Sequence, residues 1–305
     1  MTREELKLLK EIADLEKTPQ GAYNIRSNGK PAGRASTENI VIESKEDKPG
    51  INIYIKDGTV NESVHIPVLL TQTGYTETVY NDFFIGDNCD VLIVAGCGIH
   101  NSGCGSIQHD GVHSFKIGKN SRVRYVEKHY GEGEGTGEKV MNPVTQATLG
   151  EGSYMQLDTT QIRGVDSTKR ETYINVGRDA ETLVNEKLMT HGSQHAESLM
   201  EIRLEGENSR GRVVSRSVAR DKSVQVFYPK MTGAAACFGH VQCDSIIMDG
   251  AKISSIPAIS SESVDAVLIH EAAIGKIAGE QMLKLMTLGL TEEEAEERIL
   301  EGFLS

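Results

Sequence analysis

Residues 237–271 contain several side chains that can ligate metals. The stretch carries two thiols, two imidazoles and two carboxylates, at Cys237, His240, Cys243, Asp244, His270 and Glu271. Thiolate and imidazole groups bind soft and borderline metals, whereas a carboxylate is a harder ligand that suits a labile iron site. This mixture predicts a metal site in which a carboxylate could complete the coordination of a labile iron.

Several of these residues also have an ordinary structural interpretation. Cys237 lies in GAAACFG, a run of small residues that is typical of a buried core position. Cys243 has polar neighbours on both sides, which favours partial exposure. His270 and Glu271 could instead cap a following helix, because glutamate is stabilising at a helix N-terminus.

A second group of potential ligands lies in the glycine-rich segment GCGIHNSGCGSIQHDGVH. Its members are Cys97, His100, Cys104, His109 and His113. Zinc would use four of them in a tetrahedron, and an iron–sulfur cluster could use the two thiols with a histidine. Alternatively, the residues point to alternate faces of a strand and never converge. Iron or zinc binding in this segment is therefore a hypothesis with an open structural alternative.

Other chemistries lack support in the residues. The tract GEGEGTGEKV at residues 131–140 has no Gly-Lys-Ser/Thr ending and opens no apolar helix, so we expect no nucleotide on this chain. No GxSxG, HExxH or paired-carboxylate signature occurs, which predicts a protein that is not a conventional enzyme. The formal net charge of −12 argues against nucleic acid or an anionic membrane as a partner.

The cysteine count and the N-terminal segment indicate the cellular compartment. Five cysteines are an odd number, and the charged N-terminus has no apolar signal-peptide core. No apolar run approaches the length of a membrane span. We therefore expect a cytoplasmic protein with reduced thiols, which favours metal or redox chemistry over structural disulfides.

A recurring glycine turn predicts the architecture that positions these groups. Turns of the form Gly-x-x-small, each followed by an extended segment, begin at five glycines spaced 32, 32, 27 and 29 residues apart: Gly86, Gly118, Gly150, Gly177 and Gly206. Such repeats without intervening helices are typical of a β-solenoid, in which stacked rungs bury one aliphatic core. Glycine would supply corners with positive φ. A β-sandwich with irregular glycine turns is the alternative.

Three segments follow from the local patterns, namely residues 1–50, 51–269 and 270–305. The first has a predicted helix over residues 2–16, capped by Thr2, and then an irregular stretch. The predicted apolar face of that helix is Leu6, Leu9, Ile12 and Leu15. The second is the β-solenoid core, and its first two strands flank a predicted hairpin turn at residues 56–59. The third is helical from Ala272 onward, with a second helix that starts at Thr291.

Several motifs of the C-terminal half are shared with a known family. They are QCDSI (Gln242–Ile246), the turn at Gly250-Ala251, IPAI (Ile256–Ile259), DAVLIHEAAIGKI (Asp265–Ile277), GF (Gly302-Phe303) and GENSRGRVVSRSVARDKSVQVF (Gly206–Phe227). With these motifs the chain resembles the SufB/SufD family, the scaffold components of the SUF-type iron–sulfur cluster assembly system. The resemblance is specific over residues 150–305, weaker over 50–150 and absent from the first 50.

The resemblance implies a fold, a partner and roles for single residues. The family fold is a right-handed parallel β-helix followed by a small helical domain that binds a SufC-like ABC-type ATPase. Two scaffold subunits pair through their β-helices, and the cluster assembles near the interface. Cys243 matches the cysteine that accepts sulfur or ligates the cluster, and His270 and Glu271 match a segment of that site, with His240 as a possible assistant. The residues assigned to ATPase docking are Ala272, Ile274, Lys276, Ile277 and Leu283.

This chain departs from the family in length. It is shorter than the usual bacterial SufB, which favours a single scaffold that pairs as a homodimer, although a SufB/SufD-like paralogue remains an alternative partner. We therefore expect a scaffold that receives sulfur and iron from donors and passes a transient cluster to apo iron–sulfur proteins. The rival hypotheses are a structural zinc-binding β-solenoid protein and a β-helix enzyme acting on polysaccharide. The lack of tryptophan and the 5% aromatic content argue against the enzyme.

Overall fold

The computed structural model describes residues 1–15, residue 19 and residues 21–305. This part of the chain is mostly β-structure wound into a parallel β-solenoid of about eight turns, with one helix before it and two after it. The predicted β-solenoid is confirmed, and the β-sandwich alternative is wrong. The helices are α1 (Arg3–Ala13), α2 (Gly279–Thr287) and α3 (Glu292–Leu304). The strands are β1 (Ala22–Ser27), β2 (Lys30–Ala35), β3 (Ile40–Ser44), β4 (Gly50–Ile55), β5 (Val60–Leu70), β6 (Thr76–Ile85), β7 (Asp90–His100), β8 (Ile107–Ile117), β9 (Arg122–Glu132), β10 (Lys139–Met141), β11 (Val144–Leu149), β12 (Tyr154–Arg163), β13 (Ser167–Val176), β14 (Glu181–Thr190), β15 (His195–Leu204), β16 (Ser209–Ala219), β17 (Val224–Gly233), β18 (Cys237–Ile247), β19 (Lys252–Ser255), β20 (Ala258–Ser261) and β21 (Val267–Gly275).

The strands form two sheets that enclose the core. Sheet A has the spatial order β2-β1-β5-β7-β9-β12-β14-β16-β18-β21. Sheet B has the order β19-β17-β15-β13-β10-β8-β6-β4-β3, with β11 beside β8 and β13, and β20 beside β17. Strands inside the two sheets pair in parallel with strands one turn before and after them, whereas β1–β2 and β3–β4 at the N-terminal end are antiparallel; Tyr125, for example, lies between Ile93 and Leu157.

Side chains alternate between the core and the surface along each strand. In β8, His109, Gly111, His113, Phe115 and Ile117 are buried, and the residues between them are more exposed. This is the ordinary geometry of a strand with one covered face. The inward positions form one core that runs from Ala22 to Cys243 and consists mainly of isoleucine and valine. Parallel stacking thus supplies the continuous aliphatic core that a single rung could not form.

The repeated glycine turns are the corners of the solenoid, as predicted. The positive φ angles, however, fall two residues after each glycine, at Asn88, Asn120, Gly152, Asp179 and Asn208. Asparagine and aspartate adopt the left-handed conformation more readily than other side chains. The glycines themselves are required by close stacking, since a Cβ on Gly118 would lie 2.5 Å from the carbonyl oxygen of Gly86. The predicted corners are confirmed, and the conformational role assigned to their glycines is wrong.

Two predictions near the N-terminus are wrong. The stretch from 21 to 50 is not irregular, because it contains β1, β2 and β3. The turn at residues 56–59 does not close a hairpin, because β4 and β5 belong to different sheets. The turn is instead a corner of the solenoid. Hairpins and corners use similar turn residues, and only the pairing with strands of other turns distinguishes them.

Helix α1 packs on the outer face of sheet A. Thr2 and Glu5 form the predicted capping box, whereas residue 16 of the predicted helix lies outside the described residues. The helix buries Leu8, Leu9 and Ile12 against the sheet. Leu6, which belongs to the predicted face, is 43% exposed. The buried face of α1 is therefore rotated from the predicted face toward Leu8, because Leu8 packs against sheet A and Leu6 does not.

The close approach of α1 depends on glycines in β7. A Cβ on Gly96 would lie 3.0 Å from the Cβ of Ile12 and 2.8 Å from the carbonyl oxygen of Lys128. We expect Gly96→Val to destabilise the docked helix by about 1–3 kcal/mol, the usual cost of overpacking. Urea denaturation measures this loss, and limited proteolysis shows whether α1 is released.

Gly275→Val is the matched control, because a Cβ at Gly275 would have open space around it. The control should unfold close to the wild-type urea midpoint. If Gly96→Val also keeps that midpoint, then α1 does not lie against β7 as described here.

The C-terminal segment begins with a strand and not with a helix. Ala272 and Ile274 lie in β21, Lys276 and Ile277 lie in the connection, and only Leu283 of the predicted docking residues is helical. Small apolar residues fit either structure, and pairing of β21 with β18 selects the strand. The predicted capping box of Thr291 in α3 is confirmed. Within the described residues, no helix has both the length and the apolar character needed to cross a bilayer.

Candidate functional site

The first predicted site lies on two neighbouring strands at the C-terminal end of sheet A. His240 and Cys243 are in β18, and His270 and Glu271 are in β21. The strands pair in parallel with Gln242 opposite Glu271 and Cys243 opposite Ala272. Among the described strands, β21 is the last of its sheet and pairs on one side only. The candidate site therefore lies on the open edge strand β21 and on its neighbour β18.

Cys243 and Glu271 point to opposite faces of sheet A. Cys243 is 3% exposed and belongs to the core. The side chain of Glu271 is 64% exposed. Because the two residues are offset by one position in register, strand alternation directs their side chains to opposite sides. Their predicted convergence is not found within one chain, and the predicted partial exposure of Cys243 is wrong.

The outer face of the edge carries a histidine–carboxylate pair. His240 Nε2 lies 3.6 Å from Glu271 Oε2. This nitrogen is buried and has no hydrogen-bond partner in the described part of the chain. Asp244, on the same face, accepts a hydrogen bond from Gln242 at 2.7 Å. The pair therefore presents one imidazole nitrogen and one carboxylate oxygen to the same point, which is a partial site for a borderline metal such as iron.

The inner side of the edge carries the thiol and the second histidine. Burial raises the pKa of Cys243 to about 12; the nearby Ser255 hydroxyl opposes this, and the charges of Glu186 and Asp244 add to it. Burial also lowers the pKa of His270, whose Nε2 lacks a hydrogen-bond partner among the described residues. Since the thiolate is the nucleophile and the metal ligand, Cys243 is not activated in the isolated chain. A cation or metal must approach it before it can react.

The five residues of the second predicted group are divided among three places. Cys97, His109 and His113 face the interior and line a cavity of about 10 Å³. His100 lies on the outside, with its Nδ1 3.1 Å from Glu132 Oε1, and Cys104 is exposed at a corner. Alternation along β7 and β8 causes this division. In residues 1–15, 19 and 21–305, no three His, Cys, Asp or Glu side chains are arranged to hold a metal ion.

Beside that cavity the solenoid contains a row of charged and imidazole side chains that sequence reasoning missed. We call it the buried charged row; it consists of Glu77, His109, His113, Glu127, His129, Arg170 and Glu186. Its centre is Glu127, which pairs with Arg170 and accepts a hydrogen bond from Tyr125 at 2.9 Å. Serines 198 and 215 donate to Glu186 at 2.7 and 3.0 Å. The row therefore extends from His109 and His113 of the second predicted group to Glu186, which lines the same small cavity as Cys243.

Electrostatic coupling within this row keeps the Glu127 carboxylate charged, whereas burial favours the neutral form of His113. Glu127 is desolvated by burial, but Arg170 and the neighbouring histidines hold its pKa well below the usual range. Burial lowers the pKa of His113 to about 4 against the opposing charge of Glu127, so the ring is neutral at neutral pH. A signal for the row existed in the sequence, because Glu127 has the parity of the inward residues Val123 and Tyr125 in β9.

Comparison with known proteins agrees with this architecture. Residues 83–303 match the family described as SUF system FeS cluster assembly, SufBD core domain. An iron–sulfur cluster assembly SufBD family protein of Methanocaldococcus jannaschii is 27% identical over 272 residues, which cover 88% of this chain and 85% of that protein. One from Pyrococcus horikoshii is 27% identical over 289 residues, covering 92% and 86%. One from Archaeoglobus fulgidus is 26% identical over 262 residues, covering 85% and 69%.

The family match begins within β6 and includes the rest of the solenoid and both C-terminal helices. It therefore contains the open edge, the histidine–carboxylate pair and Cys243. Since the match spans more than half of the chain, this protein belongs to the SufBD family of iron–sulfur cluster assembly proteins.

Proposed function

We propose that this chain is a cytoplasmic scaffold subunit on which a transient iron–sulfur cluster is assembled, and that it does not itself catalyse a conventional reaction. The observation that carries the proposal is the His240–Glu271 pair, which links the open edge strand β21 to β18, the strand that also carries the buried Cys243. Iron and sulfur are the substrates of this site. Membership of an iron–sulfur assembly family supports the choice of cargo.

The proposed ligands differ in how strongly they bind the cluster. Cys243 is the thiolate ligand, because binding of ferrous iron displaces its proton. Glu271 is the exchangeable oxygen ligand, and His240 and His270 assist. A mixed set of this kind permits transfer to apo iron–sulfur proteins, whereas four thiolates favour retention of a cluster. Access to Cys243 requires movement of β21, the one strand between it and the edge.

A second copy of this chain is the proposed partner at the open edge. An unpaired strand offers its backbone groups to another chain. Five large apolar side chains near this edge are at least 40% exposed, namely Ile256, Ile259, Val264, Val267 and Ile269. Edge-to-edge pairing would cover them and would place two copies of Glu271 near one interface. A SufB/SufD-like paralogue is the heterodimeric form of the same arrangement.

An ABC-type ATPase of the SufC kind is the proposed partner of the helical end. Leu283, Met286 and Leu288 of the α2 region are 63%, 41% and 72% exposed, which supports docking of an apolar surface there. Ile277 belongs instead to a packed cluster with Val218 and Leu300.

Leu283→Asp should abolish co-purification with the ATPase, while Leu6→Asp in the distant α1 should not. Equal retention of the ATPase by both variants would contradict this docking surface.

Anaerobic reconstitution with ferrous iron and sulfide tests the scaffold function. Cys243→Ala and Glu271→Ala should each weaken iron binding about tenfold or more, as loss of a ligand does. Visible absorption and iron and sulfide analysis of the dimer measure the cluster. Cys89→Ala is the matched control, since Cys89 is equally buried in the core but lies several turns from the edge.

Two outcomes would contradict the proposal. A cluster that forms normally in both variants would place assembly elsewhere on the molecule. Tight stoichiometric zinc with no cluster, lost in Cys97→Ala, would instead support the structural zinc-binding protein. Circular dichroism of each variant distinguishes loss of the ligand from loss of the fold.

A further inference from the structure

A groove of about 570 Å³ lies on the outer face of sheet A and extends from β9 to Gln242 of β18. It is bounded by helix contacts on both sides: Lys128 pairs with Asp14 after α1, and Arg216 donates to the carbonyl oxygens of Phe303 and Ser305 after α3. The strands between these contacts are left uncovered. The volume is within the range of pockets that bind small molecules.

The charge of this groove is opposite to that of the chain. The chain has a formal net charge of −12. The groove is nevertheless lined by five cationic side chains, Arg124, Lys128, Lys187, Arg212 and Arg216, and by one outward carboxylate, that of Asp158; Glu186 also borders it, but its carboxylate belongs to the interior. We call it the basic groove. Cations concentrated in a concavity attract anions far more strongly than the same number spread over a surface.

Two of the five cations have no side-chain hydrogen bond or ion pair within the described residues. Arg124 pairs with Asp158 at 2.9 Å, and Lys128 and Arg216 make the boundary contacts. The side chains of Lys187 and Arg212 form neither a hydrogen bond nor an ion pair with any described residue. Both side chains lie on the outer face of sheet A, on β14 and β16. Unpaired cations that line one concavity are available to a ligand.

The register sets the separation of these two cations. Lys187 is directly opposite Arg216, which is four residues from Arg212 along β16. From strand rise and spacing, the α-carbons of Lys187 and Arg212 are about 14 Å apart. Val214 lies between them on β16, and Leu183 lies opposite Arg212 on β14, so both contribute apolar surface to the floor of the groove. A single small anion cannot contact both cations at full strength, whereas an elongated molecule with an anionic group at each end can.

We propose that the basic groove binds a phosphorylated small molecule that carries anionic groups at both ends. Arg212 would hold one phosphate through its planar guanidinium, and Lys187 would hold the other as a point charge. The middle of the ligand would lie over Leu183 and Val214. Lys187 and Arg212 lie on β14 and β16 and are not among the residues proposed to hold the cluster on β18 and β21, so occupation of the groove does not depend on that function.

Isothermal titration calorimetry of the full chain tests the proposal with fructose 1,6-bisphosphate, and with orthophosphate for comparison. The bisphosphate should bind about tenfold or more tightly than orthophosphate at the same ionic strength. Lys187→Ala and Arg212→Ala should each weaken bisphosphate binding by a similar factor. Arg210→Ala is the matched control, because Arg210 is an exposed arginine of the same strand outside the groove, and it should change the affinity less than about twofold.

Three results would overturn the proposal. Equal affinity for the two probes, or binding that both variants retain, would identify an adventitious ion only. Absence of bisphosphate binding together with groove-dependent binding of poly-glutamate would assign the groove to an acidic protein segment. Iron–sulfur reconstitution in Lys187→Ala should remain at the wild-type level, so failure here is distinguishable from failure of the scaffold proposal.

Discussion

Replacing Arg170 by methionine is expected to lower the free energy of unfolding by about 3–5 kcal/mol at neutral pH. Arg170 and Glu127 are both almost fully buried, and their side chains pair inside the solenoid. Methionine fills a similar volume but leaves the Glu127 carboxylate without its main counterion. Removing one partner of a buried ion pair destabilises the folded state, because the remaining charge stays desolvated. Urea denaturation of the two proteins measures the difference.

The pH dependence of this loss follows from the same contacts. Without Arg170, burial raises the pKa of Glu127 above its unfolded value, so the penalty exists while the carboxylate is charged and disappears when it is protonated. The deficit should therefore be smaller at about pH 5 than at about pH 8. The double variant Glu127→Gln/Arg170→Met should recover part of the stability, because it removes the unpaired charge and keeps an acceptor for Tyr125.

An exposed ion pair supplies the matched control. Arg178 and Glu207 are 2.9 Å apart, with side chains 59% and 64% exposed. Arg178→Met should cost less than about 1 kcal/mol, because exposed pairs contribute little. Equal effects of Arg170→Met and Arg178→Met would mean that the pair at Glu127 is solvated and that the buried charged row does not exist as described.

Acid should destabilise this protein through buried histidine, and His113→Phe should remove part of that sensitivity. Burial lowers the pKa of His113 to about 4, whereas the unfolded value is near 6.5. Between these values the unfolded chain takes up a proton that the folded chain does not. Stability is therefore complete above the unfolded pKa and falls as the pH decreases toward 4. The loss from this one residue is about 3 kcal/mol across that window.

Phenylalanine suits the test because it does not titrate and the site accepts an aromatic ring. The His113 ring lies 6.3 Å from that of Phe83 and 5.9 Å from that of Tyr125, and its Nδ1 has no hydrogen-bond partner among the described residues. Urea midpoints measured from about pH 7 to about pH 4.5 should fall less steeply in His113→Phe than in the wild type. Glu77, whose pKa is lowered to about 2 by contacts with His109 and Arg26 in spite of its burial, adds its own loss only at lower pH.

His195→Phe is the comparison for this slope, because His195 is exposed at the start of β15. This variant should keep the wild-type pH profile. An unchanged profile in His113→Phe as well would show that His113 is solvated or already protonated in the folded protein.

Local signals in the sequence were sufficient for the architecture. Glycine turns about thirty residues apart, alternating apolar residues and two capping boxes are properties of neighbouring residues. They correctly predict the solenoid, its corners and the starts of α1 and α3. The family also followed from short motifs, because QCDSI and HEA are contiguous stretches around the candidate site.

Tertiary structure decided what depends on contacts between turns. Pairing with β18 made Ala272–Gly275 a strand, although its residues also fit a helix. Register directed Cys243 inward and Glu271 outward, and parallel stacking brought Glu127 of β9 to Arg170 of β13. The basic groove likewise combines cations from β9, β14 and β16. Residue types and local spacing thus determined the fold and the family, whereas the register between stacked turns determined which side chains meet, because partners far apart in sequence leave no local pattern.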